Sequence, residues 1–227
     1  LCIALAGARP ALAAGLSPEE AKAIAVDAYI YGYSLVTTEV TRVQMSNVPA
    51  VEKMRAPTGT FFNVPGYPAA TYRGVSATNA DTLYSLAWLD LAEPQVFTHP
   101  EIKDRFFTFE LVDQWMIVKD SVGTNTSGER AMTYLFTGPD WEGTVPEGMT
   151  HLSFPTRHMV ILGRTYALNE PEDLARVHAL QAQYQVRPLS AHGKPYTFKA
   201  PPVNPVAPEA MEELNKALQE LLEKEQQ

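Results

Sequence analysis

The strongest constraint on the fold is a series of short β-forming runs between Asn79 and about Arg164, separated by turns and not by helices. Strand-to-strand crossovers in a parallel sheet need a dozen or more residues, usually a helix, and these connections are too short for that. The series therefore predicts an antiparallel sheet or a β-sandwich. The five predicted strands are 82–91, 105–112, 115–122, 130–137 and 158–166.

A helix is predicted before the strands. Ser17 supplies a side-chain cap, Pro18 suits the first helical position, and Glu19 and Glu20 place negative charge in the first turn. Apolar residues then recur at three- and four-residue spacing to about Met45, which predicts one apolar face. That face comprises Ala21, Ile24, Ala25, Ala28, Tyr31, Gly32, Leu35 and Val36.

Helical periodicity returns after the strands. A second helix is predicted from about Glu170 to Tyr184, a proline-rich connector over 191–208, and an amphipathic helix over 209–227 that begins a truncated C-terminal region. The predicted fold class is α+β: a mostly antiparallel sheet or sandwich, with an N-terminal helix and C-terminal helices. The main domain is predicted to span 15–190.

Residues 1–14 form an apolar stretch that ends on small residues, with Ala11-Leu12-Ala13 in the pattern accepted by signal peptidase. We interpret this stretch as the remnant of a signal peptide, which predicts a periplasmic or secreted protein. Cys2 is the sole cysteine, so no intrachain disulfide is expected. No later run approaches the ~18 apolar residues needed to span a bilayer.

Charge and motifs exclude several function classes. The formal net charge is −8 and the cations are scattered, which argues against nucleic-acid binding. Phosphate-binding loops, dinucleotide-binding turns and common zinc motifs do not occur, and Gly74-Val75-Ser76-Ala77-Thr78 lacks the closing glycine of a nucleophile elbow. The histidines have no metal-ligand spacing. We therefore expect no cofactor and no metal, and a small molecule as the partner.

The densest polar segment runs from Tyr72 to Ser85. On a catalytic interpretation, Asp81 is the acid or base, and Tyr84 and Asn79 polarise a substrate carbonyl. Tyr72 and Arg73 are then candidate binding residues. On the structural alternative, Asn79 and Asp81 hold a turn by bonding backbone N–H groups, and Tyr84 is a half-buried strand aromatic.

Two further segments extend the candidate site. Asp113 lies at a turn between predicted strands and could pair with Asp81 as acid and base, with Trp115 as a binding residue. The alternative is that Asp113 makes a local turn and Trp115 is core. Arg164 ends a buried strand and needs a carboxylate partner or an anionic ligand. It is therefore a candidate to orient Asp81 or Asp113.

Several of these motifs together resemble a known family. The run Asn79-x-Asp81-Thr82-Leu83-Tyr84-Ser85, followed by Ala87-Trp88-Leu89-Asp90-Leu91 and Glu93-Pro94, is similar to the signature of the bacterial family called domain of unknown function 1254. Asp113-x-Trp115, Gly138-Pro139-x-Trp141-x-Gly143 and Gly163-Arg164-Thr165 keep the family's order over roughly residues 20–190. The resemblance implies a mostly β domain in exported proteins, with no agreed activity. It also implies a partner domain, called domain of unknown function 1214, following this one.

Two functions are predicted from these observations. The first is a cofactor-independent hydrolase of small ester or amide substrates, because hydrolysis needs no bound cofactor and the aromatic loop 47–72 could line an apolar pocket. The alternative is a non-catalytic module of the cell envelope that is structural or binds a carbohydrate or other small molecule. Carbohydrate binding would need Trp88, Trp115 and Trp141 to be exposed.

Overall fold

The computed structural model describes residues 16–72 and 79–204, together with the single residues Glu213 and Lys216. The predicted signal-peptide remnant, Cys2, Arg73 and nearly all of the predicted helix 209–227 lie outside the described residues. The elements in chain order are α1 (Pro18–Ser46), β1 (Phe62–Asn63), β2 (Thr82–Asp90), β3 (Gln95–His99), β4 (Phe107–Asp113), β5 (Val118–Gly123), β6 (Met132–Thr137), β7 (Thr150–Ser153), β8 (His158–Tyr166), α2 (Pro171–Gln181) and β9 (Gln185–Pro188).

The strands form two sheets. One has five strands in the order β1-β2-β8-β4-β5, all antiparallel, and the other has four in the order β7-β6-β3-β9. In the second sheet only β6 and β7 run parallel. The inner faces pack on each other through one apolar core that includes Leu89, Phe97, Phe109, Tyr134 and Ile161. The predicted α+β class with a largely antiparallel sandwich is confirmed.

The N-terminal helix begins as predicted. The Ser17 hydroxyl accepts a hydrogen bond from the Glu20 N–H at 3.2 Å, and the Glu20 carboxylate accepts one from the Ser17 N–H at 2.8 Å. The predicted apolar face is wrong for the first half of α1, where Tyr31 is 77% exposed. The buried residues of α1 all come after Ser34, because only this half of the helix lies over the five-stranded sheet.

The second helix and the long loop both support β2. Gln181, the last residue of α2, is buried and donates to the Tyr84 carbonyl and the Ser85 hydroxyl, both at 3.2 Å. The loop 47–72 is bonded to β2 through the Gly59 N–H, which donates to the Trp88 carbonyl at 2.8 Å. Within the described residues, no helix is long and apolar enough to cross a membrane.

Candidate functional site

Asn79 uses both ends of its side-chain amide to hold the turn that leads into β2. Its oxygen accepts from the backbone N–H groups of Asp81 and Thr82, both at 3.1 Å. Its nitrogen donates to the Thr82 carbonyl and hydroxyl at 2.8 and 2.7 Å. Asp81 is exposed, and its carbonyl accepts from the Ala167 N–H at 3.0 Å. These bonds correspond to the structural alternative for this segment.

Asp113 likewise shapes a turn. One carboxylate oxygen accepts from the N–H groups of Trp115 at 2.8 Å and Ile117 at 3.1 Å, which closes the β4–β5 hairpin. Met116, at the tip, has a left-handed φ of 62°. The residue is buried, so the carboxylate does not face an open cleft.

The structure does not bring Asp81 and Asp113 together. Thr82 lies opposite Tyr166 at the end of β8, whereas Asp113 lies opposite Met159 near its start. At about 3.3 Å per residue, this register separates the two aspartates by more than 20 Å. The predicted carboxylate pair is therefore wrong. Arg164 orients neither of them, because its nearest carboxylate is that of Glu110.

Two of the three predicted binding residues, Tyr72 and Trp115, lie apart from each other, and Arg73 is outside the described residues. Tyr72 is exposed at the end of the long loop. Trp115 is half-buried at the β4–β5 turn, where its ring packs edge-on against Tyr31 of α1 with 5.6 Å between ring centroids. The structure thus gives no common site for Tyr72 and Trp115.

Tyr84 and Arg164 do meet. They lie opposite each other on β2 and β8, and the Arg164 guanidinium carbon is 5.3 Å from the centre of the Tyr84 ring. This is within the range of a cation–π contact. The Arg164 Nη2 lies 3.9 Å from a carboxylate oxygen of Glu110 on β4. The Arg164 Nε is buried and has no hydrogen-bond partner among the described residues.

A cavity of about 390 Å³ lies between α1 and the outer face of the five-stranded sheet. Its floor is apolar, and its wall is a row of α1 side chains, most of which carry a hydroxyl. The floor comprises Leu86, Trp88, Val112, Val160 and Leu162, and the wall Tyr33, Ser34, Thr37, Thr38, Thr41 and Met45. Tyr33 and Met116 are exposed and form its mouth. We call this space the α1 cavity.

The α1 cavity borders the Tyr84–Arg164 pair. Leu86 and Leu162 on the cavity floor are two residues from Tyr84 and Arg164 along the same strands, hence on the same face of the sheet. None of the residues in the loop 47–72 lines this cavity. The prediction that the loop lines an apolar pocket does not hold for this cavity, and the loop's Phe61 and Phe62 are buried away from it.

Trp88 on the cavity floor carries an unsatisfied donor. The residue is buried, and its indole N–H has no hydrogen-bond partner within the described structure. An unpaired buried donor costs about 1–3 kcal/mol, so a hydrogen-bond acceptor placed beside it would be stabilised. From the sequence, Trp88 is a candidate only as one of three carbohydrate platforms.

A polar cluster lies beside the second half of α1. Glu39 accepts from Arg42 and from the Gln114 amide, whose oxygen accepts from the His158 N–H. Burial raises the pKa of Glu39, but the bonds from Arg42 and Gln114 together with the nearby charges of Arg42 and His158 outweigh it, and the net shift is downward. Burial, with the nearby Arg42 charge, lowers the pKa of His158. In the described part of the chain, no three His, Cys, Asp or Glu residues are grouped to hold a metal ion.

The sequence of residues 58–188 matches the family described as "Protein of unknown function (DUF1254)". The match covers more than half of the chain. The chain belongs to this family. The matched DUF1254 region includes every strand, the Tyr84–Arg164 pair and the cavity floor. Helix α1, which forms the cavity wall, precedes this region.

One solved structure shows the same fold, and a second is similar to a lesser degree. The VPA0106 protein from Vibrio parahaemolyticus is 23% identical with a TM-score of 0.61, over 79% of this chain and 41% of that one. A putative uncharacterized protein from Burkholderia cenocepacia is 13% identical with a TM-score of 0.43, over 80% of this chain and 46% of that one. This DUF1254 chain therefore spans less than half the length of either. No curated protein is significantly similar to it in sequence.

Proposed function

We propose that this DUF1254 domain binds a small, largely apolar molecule in the α1 cavity. The observation that carries the proposal is the cavity itself, about 390 Å³ over a floor of apolar side chains. Ligand pockets are typically about 300–1,000 Å³, and an engineered cavity of about 150 Å³ already holds benzene. The space suits one aromatic ring with a short chain, or one medium-length alkyl chain.

The unpaired indole N–H of Trp88 favours a ligand with a hydrogen-bond acceptor. A carbonyl group on an otherwise apolar ligand meets this requirement without adding charge. Esters, amides and ketones are therefore expected to bind more tightly than hydrocarbons of the same size. This matches the class of small molecule predicted from the sequence.

Calorimetric titration with ethyl benzoate and octanamide tests the proposal. Thr37 lines the cavity from α1 and is exposed, so Thr37→Phe fills the cavity without disturbing the core. We expect this variant to lose saturable binding. Gln44→Phe adds the same ring at an exposed α1 position that does not line the cavity, and should keep the wild-type affinity. Equal binding by the two variants would contradict the proposed site.

The side-chain environments support a small-molecule ligand over a carbohydrate. Sugar binding usually needs exposed aromatic faces, but Trp88 is buried and Trp115 is packed on Tyr31. Trp141 is half-buried, with its ring 5.3 Å from that of His151. The carbohydrate form of the binding hypothesis is therefore not favoured.

A hydrolase is the second candidate function, and the meeting of Tyr84 and Arg164 beside the cavity supports it. In this proposal Tyr84 and Arg164 donate hydrogen bonds to the oxygen of an ester carbonyl as negative charge develops on it. The test is hydrolysis of aryl and alkyl esters by the wild type, Tyr84→Phe and Asp81→Asn. Turnover lost only in Tyr84→Phe supports a site at the cavity, and turnover lost only in Asp81→Asn supports the predicted acid or base. Ligand binding without turnover would support the binding function and contradict the hydrolase.

Export through a signal peptide and a following domain of unknown function 1214 stay predictions. An extended gene product with a cleaved leader and activity dependent on the second domain would support both.

A further inference from the structure

We infer that the ligand of the α1 cavity is a monocarboxylic acid, with its tail in the cavity and its carboxylate on Arg164. This inference rests on the binding function proposed above and names the ligand class. A neutral ligand would need only the cavity and Trp88. The carboxylate is inferred from Arg164, which lies beside the cavity and has no close ion pair within the described residues.

Arg164 is close enough to the cavity for one small molecule to reach both. Leu162 on the cavity floor is two residues before Arg164 on β8, and both side chains are on the outer face of the sheet. Two residues along a strand span about 7 Å. Because a cavity-bound chain of a few carbons covers that distance, the carboxylate and the tail can be bound together.

Arg164 makes no close ion pair within the described structure, and its side chain is 38% exposed. Its Nε is buried without a partner, and the nearest carboxylate, that of Glu110, is 3.9 Å from Nη2. That distance is too long for a hydrogen bond. By contrast, Arg105 and Arg157 each make two side-chain bonds to one aspartate.

A partly exposed guanidinium without a close ion pair, placed beside an apolar cavity, is a receptor for a planar anion. Carboxylates bind arginine through two parallel N–H···O bonds, a geometry that also fixes the orientation of the ligand. The ring of Tyr84 covers one side of the guanidinium and Nε is buried, which leaves the two terminal Nη groups for the ligand. The guanidinium and the apolar cavity together select an acid with an apolar tail.

Glu110 limits the charge of the ligand. Its carboxylate is next to the proposed binding position, and it is the acidic group that contacts Arg164. A singly charged carboxylate has to displace a weak 3.9 Å contact, whereas a doubly charged phosphate would also be repelled more strongly. Removing the Glu110 charge should therefore strengthen the binding of a carboxylate.

The test is calorimetric titration of the folded chain with octanoate and with octanamide, which share a tail and differ in charge. Charge-assisted hydrogen bonds predict that octanoate binds the wild type about tenfold or more tightly than octanamide. Arg164→Gln should abolish this preference by weakening octanoate binding, and a cooperative urea unfolding transition like that of the wild type shows that the variant is folded. Glu110→Gln should increase the octanoate affinity severalfold. Arg130→Gln removes an equal charge from an exposed position distant from β8 and should preserve the preference.

The outcomes separate the two proposals. Equal affinity for octanoate and octanamide in the wild type, with both lost in Thr37→Phe, overturns the carboxylate assignment and leaves the cavity function standing. A preference for octanoate that persists in Arg164→Gln also overturns the assignment. Binding of neither compound to the wild type overturns both proposals.

Discussion

The ion pair between Arg105 and Asp173 should make the stability of the fold sensitive to acid. It joins the start of β4 to α2 through two hydrogen bonds of 3.1 and 2.7 Å, and the two side chains are only 13% and 6% exposed. The Asp173 carboxylate also accepts from the Leu168 N–H at 2.8 Å. The bonds from Arg105 are the largest cause of a pKa of about 2 for Asp173, against an ordinary value of 3.8.

The size of the effect follows from this difference. A carboxyl pKa that is lower in the folded state by nearly two units contributes about 2.5 kcal/mol to the free energy of unfolding. The contribution is complete above about pH 5 and is lost progressively as the pH falls through 2. Asp173→Asn at pH 6 removes it and leaves Arg105 without its anion, at a cost of about 3 kcal/mol. At pH 2 the difference between wild type and variant should shrink to about 1 kcal/mol.

Urea unfolding followed by circular dichroism at pH 6, 4, 3 and 2 measures the stability cost of Asp173→Asn and its decrease in acid. Asp90 and Arg157 provide a matched control, because they also form two bonds, at 2.8 and 2.7 Å, but with side chains 33% and 62% exposed. Asp90→Asn should change stability by no more than about 1 kcal/mol. A wild-type to Asp173→Asn difference that is the same at pH 6 and pH 2 would refute the reasoning.

Three further predictions concern the core and are checked by the same unfolding measurement. A Cβ on Gly163 would lie 2.8 Å from the Phe109 ring, so Gly163→Ala should lower the free energy of unfolding by about 1–3 kcal/mol. Gly66→Ala, with open space around it, should not, and equal effects of the two variants would count against this packing. Burial lowers the pKa of His99, so protonation of this residue favours unfolding below pH 6.5. His99→Phe should remove this part of the acid sensitivity, and an unchanged dependence of stability on pH would disprove the prediction. Phe97→Ala should cost about 3–5 kcal/mol because the ring is fully buried between the sheets, and a loss below 1 kcal/mol would be inconsistent with that position.

The fold class could be predicted because β-formers and turn residues alternate visibly in the sequence. β3 was missed, since its five residues lie between Pro94 and Pro100 and look like a stretch between two turns. β1 has only two residues, too few for any pattern. β9 follows α2 so closely that its first residues could not be distinguished from the end of the helix.

The candidate site was less predictable, because polar residues that hold a turn and those that bind a ligand look alike in sequence. The side chains of Asn79 and Asp113 bond to nearby backbone, which is a local role. The pairing of Tyr84 with Arg164 depends on the register of β2 against β8, and sequence gives no register between strands so far apart.

The floor of the cavity has a recognisable sequence pattern. The runs Leu86-Ala87-Trp88-Leu89 and Met159-Val160-Ile161-Leu162 are apolar at every position, which is typical of strands covered on both faces. One face of each packs into the sandwich, and the other forms the cavity floor. What the sequence could not show is that α1 covers this outer face incompletely.

The most direct test of the proposed function is an NMR measurement of nuclear Overhauser effects between bound ethyl benzoate and the methyl groups of the protein. Binding in the α1 cavity predicts contacts from the ligand to Leu86, Val160 and Leu162, which line it. Leu89 and Ile161 belong to the same strands but point into the sandwich core, and they should show none. Contacts to Leu89 and Ile161 in place of the cavity residues, or no contacts to any of them at saturating ligand, would contradict the account.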